Sequence, residues 1–366
     1  KIFEVGQKKL KKINEKCYDF IFSTYSKQYL RSTHTPNILL IPIDYEVNEK
    51  DDYKRLLQHC EQGEISIFGE KRRWLKSSKH RRLNRSNQKT SNKIDKLIDK
   101  DFNGFNWNAD PETQWEWNNA AHYTTISFYL VDDGVDIKYC WEFARMQWLS
   151  AVAYSANIHK HDAIFLAQVN KLFINTVLDF IAANPPRYGI HWTNPMESAI
   201  RSANLIMAYS SLASAGINFD QEFTTVFMNS LYDHGLYIYN HLEWSVMYRG
   251  NHYLANIVGL LFISLFLPEN NSTREWLNFS LCELNTEIFE QFYDDGTNFE
   301  ASTSYHGFSL EIIAMAVIAV LSSSNKLQTM KYQKFKKVTT NKPKSNNNIV
   351  ELYEKSISST IPLTKQ

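Results

Sequence analysis

A polar cluster opens the most apolar stretch of the chain. Residues 248–269 read YRGNHYLANIVGLLFISLFLPE, in which apolar side chains recur at helical spacing after Asn251 and His252. An amide and an imidazole can both donate hydrogen bonds to an anion, and the first turn of a helix offers free backbone N–H groups as well. The pattern indicates an anion-binding helix start. Taken alone, Asn251 also fits an ordinary helix N-cap, and His252 an ordinary first-turn histidine.

Residues 191–205, HWTNPMESAIRSANL, form a second polar cluster at a predicted helix start. Asn194 is a suitable N-cap, and Pro195 suits the first helical turn. Glu197 and Arg201 stand four residues apart, so they share one helical face and can form an ion pair. Such a pair fits either a charged substrate site or an ordinary surface salt bridge.

A third cluster, DDGTNFEASTSYHGFSLE at 294–311, precedes another predicted helix. It carries Glu300, Tyr305 and His306. A phenol can transfer protons when it is placed beside a reacting group, so Tyr305 is a candidate acid or base. On its own, Tyr305 would also fit an aromatic residue of the core.

Long helices dominate the predicted secondary structure from residue 139 onward. Their short joins and the lack of a sequence repeat favour an α/α toroid over a helical solenoid. In a ring of helical hairpins alternate loops gather at one end, so we expect the three polar clusters to converge on one cleft. The predicted helical segments are 141–157, 162–184, 194–216, 221–240, 252–267, 273–292 and 308–322.

The composition argues against several other classes of protein. The chain has 366 residues and a formal net charge of +1, which gives no global signal for a nucleic-acid or membrane partner. It has no run of 18 apolar residues, so we expect no transmembrane helix. Its aromatic fraction of 14% fits either a core or a glycan groove. Neither a disulfide scaffold nor a zinc site is expected from the four widely separated cysteines, Cys17, Cys60, Cys140 and Cys282.

The chain is expected to consist of one large domain and a short tail. Residues 1–322 are expected to form the toroid domain, with a less regular N-terminal segment at 1–105, whereas the polar and basic residues 323–366 are expected to form a poorly ordered tail. Residues 71–89 carry nine Lys or Arg and no acid, which fits a solvated loop or an anion-binding patch. The chain begins with Lys, so the compartment stays open: periplasmic or secreted with an upstream signal peptide, cytoplasmic otherwise.

Several segments together resemble a known family. WEFARMQWLSAVAYS, HWTNPMESAIRSANL, RGNHYLANIVGLLFISLFLPE and YDDGTNFEASTSYH look like the heparinase II/III polysaccharide lyases, most closely the heparinase III type. GEISIFGE and NWNADPETQWEW are similar to the family's approach to its helical domain. The resemblance covers about residues 50–322 and preserves the order of the segments. It implies an incomplete α/α toroid followed by an antiparallel β-sandwich, and we expect the toroid without the sandwich, since nothing after residue 322 alternates like strands.

The resemblance also implies a reaction, the β-elimination of a uronate-containing, heparan sulfate-like acidic polysaccharide. Asn251 and His252 are then expected to neutralise the uronate carboxylate, which stabilises the enolate-like anion that forms next to it. Tyr305 is the expected acid toward the leaving oxygen and a candidate base. Neither a metal nor another cofactor is required by this step. The expected substrate contacts are Arg249, Arg201, Glu197, Asn194, Trp192 and His306.

Three other functions stay open at this point. The chain could be a glycan-binding scaffold or a fragment of such a lyase, with a groove but impaired turnover. A glycoside hydrolase would need two carboxylates across a cleft, for which Glu197 and Glu300 are the candidates. A nucleic-acid binder using residues 71–89 is disfavoured because that run has no RNA- or DNA-binding fold signature. Acidic polysaccharide is therefore the expected partner, and the oligomeric state is open.

Overall fold

The computed structural model describes residues 35–39, 50–74, 83–127, 134–244, 249–323 and 327. Within these ranges the protein is mainly helical, as the sequence predicts. The helices are α1 (Lys50–Glu61), α2 (Arg85–Ile94), α3 (Ile137–Ala144), α4 (Gln147–Ile158), α5 (Ala163–Ala183), α6 (Pro195–Ser214), α7 (Gln221–Asn240), α8 (Asn251–Phe266), α9 (Asn271–Gln291) and α10 (Thr303–Ser322). The strands β1 (Glu64–Ile67) and β2 (Glu70–Arg73) form an antiparallel hairpin in which Glu64 lies opposite Arg73.

Side-chain caps define where the long helices begin. The carboxylates of Asp162 and Asp220 accept hydrogen bonds from the third residue of α5 and of α7. Asn194 caps α6, and Pro195 occupies its first turn, as predicted. The helix then ends before Gly216, which has a positive φ of 96° that other residues rarely adopt.

One predicted helix is wrong. The spacing in 141–157 indicates a single helix, but α3 ends at Ala144 and α4 begins at Gln147. Met146 separates them in the left-handed conformation, with φ 58° and ψ 30°, although it is not a glycine and is fully buried. Residues in this conformation are uncommon and concentrate at functional sites.

The helices from α4 onward form two layers. The helices α4, α6, α8 and α10 pack side by side in an inner layer, while α5, α7 and α9 connect them on the outside. This alternation is the predicted α/α toroid. Because each inner helix returns through an outer one, all inner helices run in the same direction. Their N-terminal ends therefore share one end of the toroid.

Helix α8 lies at the centre of the fold and packs against α6, α7, α9 and α10. Of its 16 residues, His252 alone is not buried, so the helix is apolar nearly all round, as expected for a core helix. Contact with α6 is close at Gly259, where an added Cβ would lie 2.5 Å from the Cβ of Ala199. The position requires glycine because the two backbones leave no room for a side chain.

Residues 35–39 and Trp74, which precede the toroid helices, pack onto this core. The Asn37 amide donates to the carbonyls of Leu265, Phe266 and Leu267, so it caps the C-terminal end of α8. The rings of Trp74 and Phe143 in α3 stack at 3.9 Å. The less regular N-terminal segment therefore contacts the helical domain at both of these places.

Two of the described helices, α5 and α10, are long and apolar enough to cross a membrane, judged by length and composition alone. Of the apolar window in each, 61% is buried inside the protein for α5 and 28% for α10. The expectation that no helix spans a membrane stays a prediction. So does the domain division, since most of the predicted tail at 323–366 lies outside the described residues.

Candidate active site

The start of α8 is capped from another segment of the chain. Gly250 at the N-cap position has no side chain to offer, and Asn251 is the first helical residue. The Glu300 carboxylate accepts the Asn251 backbone N–H at 2.8 Å and the Asn251 Nδ2 at 2.8 Å and 3.0 Å. Asn251 is 4% exposed. It is therefore not an N-cap, and its amide donors face an anion that the protein itself supplies.

His252 is held by Glu243, which lies in the segment between α7 and α8. Its Nδ1 is 2.7 Å from Glu243 Oε1. The other oxygen, Glu243 Oε2, accepts the Met196 backbone N–H at 2.9 Å and Asn256 Nδ2 at 3.0 Å, while Asn256 Oδ1 accepts the Glu243 N–H at 2.8 Å. The carboxylate is thus fixed to the starts of both α6 and α8, and it orients the imidazole.

The surroundings of His252 favour its charged form. The hydrogen bond to Glu243 raises the pKa of His252 against the opposing effect of burial, and the charges of Glu243, Glu197 and Glu300 add to the rise. The side chain is 38% exposed. A cationic imidazole that solvent can reach is suited to receive an anionic group of a ligand.

Glu197 is paired, but not with the predicted partner. Arg145 binds its carboxylate through two hydrogen bonds, Nε to Oε2 at 2.7 Å and Nη2 to Oε1 at 2.9 Å, and also reaches Glu142 at 2.6 Å. Burial acts to lower the pKa of Arg145, but the hydrogen bond and charge of Glu197 outweigh it, with smaller contributions from Glu142 and Tyr305. Arg145 is therefore a fixed cation, and Tyr305 lies within its electrostatic reach.

Tyr305 lies in the first turn of α10, where its side chain is 51% exposed. It is not the core residue that its aromatic character would also fit. Its electrostatic interaction with Arg145 links the start of α10 to the starts of α4 and α6. Together with the Asn251–Glu300 and His252–Glu243 contacts, it brings the three predicted polar clusters to one end of the toroid.

The assignment of Arg201 as a surface or substrate-binding cation is wrong in this structure. Arg201 is fully buried, with Nε 3.1 Å from His234 Nε2 and Nη2 3.0 Å from the His191 carbonyl. Its guanidinium also lies 4.6 Å from the Phe180 ring. Burial lowers the pKa of Arg201 to about 9, although the charge of Glu197 opposes the shift. Arg201 holds the residue 190–192 turn against α7 and does not contact the site.

Trp192 and Asn194 also have structural surroundings. Trp192 is 1% exposed, donates from Nε1 to the Asn184 carbonyl at 3.2 Å, and packs edge-on against Tyr237. Asn194 uses its side-chain oxygen to cap α6 at the Met196 N–H. Trp192 therefore cannot contact a ligand in this conformation, whereas the half-buried Asn194 lies next to the carboxylate of Glu243 through the shared Met196 donor.

Arg249 and His306 border the site. Arg249 forms ion pairs with Glu290 at 2.6 Å and with the buried Glu287 at 3.3 Å. The His306 Nδ1 accepts the Asn298 backbone N–H at 3.3 Å, and its ring packs edge-on against Phe292. Since a backbone N–H only donates, the His306 Nδ1 is the acceptor in this contact.

Sequence reasoning missed Arg145 and Glu243. Arg145 stands three residues after Glu142 inside what the spacing predicts as one helix, and only the break at Met146 turns it toward Glu197. The second, Glu243, lies in the segment HLEW, which carries no recognisable motif. Among the residues that the structure describes, no group of three or more His, Cys, Asp or Glu is placed to hold a metal ion.

Comparison with known proteins places this chain in a family. The family Heparinase II/III N-terminus matches residues 45–349. A heparin-sulfate lyase of Pedobacter heparinus is 26% identical over 185 residues, which is 48% of this chain and 26% of that protein. One of Bacteroides stercoris is 28% identical over 100 residues, 27% of this chain and 14% of that protein.

Two solved structures are also similar. A heparan sulfate lyase of Pedobacter heparinus has a TM-score of 0.42 and 17% identity, covering 90% of this chain and 41% of that one. A heparinase III has a TM-score of 0.42 and 18% identity, covering 84% of this chain and 44% of that one. The chain spans less than half the length of each of these four relatives. The family match covers residues 45–349, which is more than half of this chain. The chain therefore belongs to the heparinase II/III family.

Proposed function

We propose that the protein is a polysaccharide lyase that cleaves a uronate-containing, heparan sulfate-like polysaccharide by β-elimination. One observation carries the proposal: His252, whose pKa is raised by Glu243, shares one end of the toroid with the exposed phenol of Tyr305 and the fixed guanidinium of Arg145. The relatives, which are named as heparin-sulfate lyases, support the same class of substrate.

The first step of such a reaction removes the proton at C5 of the uronate. The carbon–hydrogen electron pair then moves toward the carboxylate, so negative charge grows on a group that is already anionic. A cationic imidazole next to that carboxylate stabilises the developing charge most where water is excluded. We assign this role to His252, which Glu243 keeps oriented and charged.

In the second step, the bond between C4 and the bridging oxygen breaks, a C4–C5 double bond forms and the oxygen takes up a proton. We assign this proton to the hydroxyl of Tyr305, the candidate acid on the α10 side of the site. Once Tyr305 has given up this proton, its phenol oxygen carries negative charge, which the Arg145 guanidinium stabilises from the α4 side. Tyr305 is also the candidate base: as the phenolate it takes the C5 proton in the first step, and that same proton passes to the bridging oxygen in the second.

The competing functions are less well supported. A glycoside hydrolase would need Glu197 and Glu300 as acid and base. Instead, Glu197 is 2% exposed and bound by Arg145, and Glu300 accepts three hydrogen bonds from Asn251. A glycan-binding scaffold, which would bind an anionic polymer through the same residues without turnover, is the second candidate.

The experiment follows the ultraviolet absorbance of the unsaturated uronate product. Heparan sulfate, chondroitin and alginate are each mixed with the chain, its Tyr305→Phe variant and its Tyr293→Phe variant. Tyr293 is the matched control, because it is an exposed tyrosine in the α9–α10 loop. We expect turnover of a uronate polymer that Tyr305→Phe reduces by about a hundredfold or more and Tyr293→Phe leaves unchanged. Salt-sensitive binding without any absorbance rise would favour the scaffold.

A further inference from the structure

The Glu300 carboxylate occupies the place at the start of α8 where an external anion would otherwise bind. It accepts one hydrogen bond from the Asn251 backbone N–H and two from the Asn251 Nδ2, at 2.8–3.0 Å. These donors combine with the positive end of the helix dipole. A ligand carboxylate therefore meets an occupied position at Asn251.

This occupation rests on a small number of contacts. The Asn251 Oδ1 is buried and has no hydrogen-bond partner among the described residues, so the amide is held only through its donors to Glu300. Glu300 is half-buried rather than buried, and its backbone N–H donates to Asn298 Oδ1 at 2.9 Å. The residue after it, Ala301, has a positive φ of 52°. The carboxylate is thus placed by its loop and can be reached from solvent.

We propose that Glu300 is a specificity-determining residue: it competes with the substrate's uronate carboxylate for the Asn251 amide and so excludes sugars that lack a carboxylate. The inference rests on the proposed function and concerns the same site. It differs from the role expected from the sequence, in which the Asn251 amide is free to neutralise the substrate. In this structure the Asn251 amide can bind a ligand only when the anionic group of that ligand displaces Glu300.

The physical reason is a difference in hydrogen-bond strength. N–H groups bind a charged carboxylate roughly twice as strongly as a neutral oxygen. The hydroxymethyl group of a neutral sugar therefore cannot displace Glu300, whereas a uronate that also contacts the cationic His252 can. Glu300 competes with the uronate as well as with a neutral sugar, so this selectivity also lowers the affinity for the uronate.

The test measures binding with a size-defined oligosaccharide of alternating uronate and N-acetylglucosamine, and with the same oligosaccharide after reduction of its carboxyl groups. Calorimetry on the full chain uses a Tyr305→Phe background, so that cleavage does not interfere. Glu300→Gln keeps an acceptor for Asn251 but removes the charge. Glu222→Gln is the matched control, since Glu222 is exposed in the first turn of α7, beyond the far end of α6.

We expect Glu300→Gln to bind the uronate oligosaccharide about threefold more tightly or better and to gain measurable binding of the carboxyl-reduced one, with Glu222→Gln unchanged. Unchanged or weaker binding of both by Glu300→Gln overturns the inference, and leaves the proposed function standing if the parent chain still binds and cleaves the polymer. Absence of binding by every variant overturns both. Should Glu300→Gln fail to fold, Glu300→Asp, which keeps the charge but withdraws it by one methylene, is expected to shift affinity in the same direction by less.

Discussion

At the scale of single residues, two carboxylates act on the start of α8 in opposite ways. Glu243 accepts a hydrogen bond from the ring of His252 and raises its pKa, so it promotes a cation that faces the site. Glu300 binds the donors of the neighbouring Asn251 and withholds them from a ligand. His252 is thus prepared to bind an anion, whereas the donors of Asn251 are already bound to one, the Glu300 carboxylate.

The role of Glu243 can be tested through the pH dependence of His252. A raised pKa means that the imidazolium persists to a higher pH, and binding that depends on it is lost as pH rises through that value. In Glu243→Gln the amide still accepts from Met196 and Asn256, but the charge is gone, so the pKa of His252 should fall. We expect the alkaline limb of kcat/KM to move to lower pH, with about a tenfold loss at neutral pH.

Titration of the His252 ring by NMR, in the parent protein and in Glu243→Gln, measures the change in the His252 pKa directly, whether or not the chain turns over its substrate. Glu222→Gln removes the same charge at the far end of α6 and should leave the titration in place. An unchanged His252 titration in Glu243→Gln would show that the hydrogen bond does not set the charge.

The sequence indicates helix starts but not the partners of the residues there. Periodicity places the start of α8 at Asn251 and His252, as observed, but it starts the last helix at residue 308, whereas α10 begins at Thr303 and includes Tyr305. The i,i+4 spacing of Glu197 and Arg201 shows that they share a helical face, but it does not show that this face is buried or that Arg145 approaches it first. Pairing across 52 residues, as between Arg145 and Glu197, depends on tertiary packing and has no local signature.

At the scale of elements, the predicted helices from α5 to α9 agree with the structure because caps and prolines mark their ends in the sequence. The break between α3 and α4 was not predictable, since Met146 is an ordinary helix former and nothing in the sequence indicates its left-handed conformation. Tertiary contacts must therefore hold it, and the Asn204 Nδ2 donates to the adjacent Arg145 carbonyl at 2.8 Å.

Close packing between the inner helices gives a prediction at this scale. In Gly259→Ala the new Cβ would lie 2.5 Å from the Ala199 Cβ and 2.6 Å from its Cα. Since the obstacle includes backbone, α6 and α8 must separate, and we expect a loss of about 1–3 kcal/mol in the free energy of unfolding.

Gly307 in α10 supplies the matched control, because an added Cβ there meets nothing within 4 Å. Gly307→Ala should stabilise the protein by about 0.5–1 kcal/mol, since alanine is the better helix former. Urea unfolding of both variants measures the two effects. Equal stability of Gly259→Ala and the parent protein would contradict close contact between α6 and α8.

At the scale of the whole molecule, the toroid encloses a buried cluster of one arginine and two histidines. Arg201 donates to the ring of His234 and to the backbone carbonyl of His191, and both histidines are buried. The His234 ring accepts from Arg201 and donates to the Ser230 carbonyl at 2.7 Å. Burial and then the charge of Arg201 lower the pKa of each histidine to about 3. Both rings are therefore neutral in the folded protein at any ordinary pH.

This cluster predicts how stability depends on pH. Histidine in the unfolded chain has a pKa of about 6.5, so below that pH the unfolded state binds two protons that the folded state does not take up until about pH 3. The stabilising contribution of the neutral rings is complete above pH 6.5 and is lost as pH falls from there toward pH 3. Each histidine adds a slope of about 1.4 kcal/mol per pH unit within that window.

Three carboxylates whose pKa values are raised by burial or partial burial, Glu142, Glu283 and Glu287, oppose this slope. The informative quantity is therefore the difference in slope between variant and parent protein. The variant His234→Gln offers Arg201 an acceptor and Ser230 a donor but cannot titrate. Urea unfolding at several values from pH 4 to pH 6 should show its slope reduced by about 1.4 kcal/mol per pH unit, while His161→Gln, at an exposed histidine, keeps the parent slope. If His234→Gln lowered stability equally at every pH, the ring would act through packing alone and His234 would not contribute to acid unfolding.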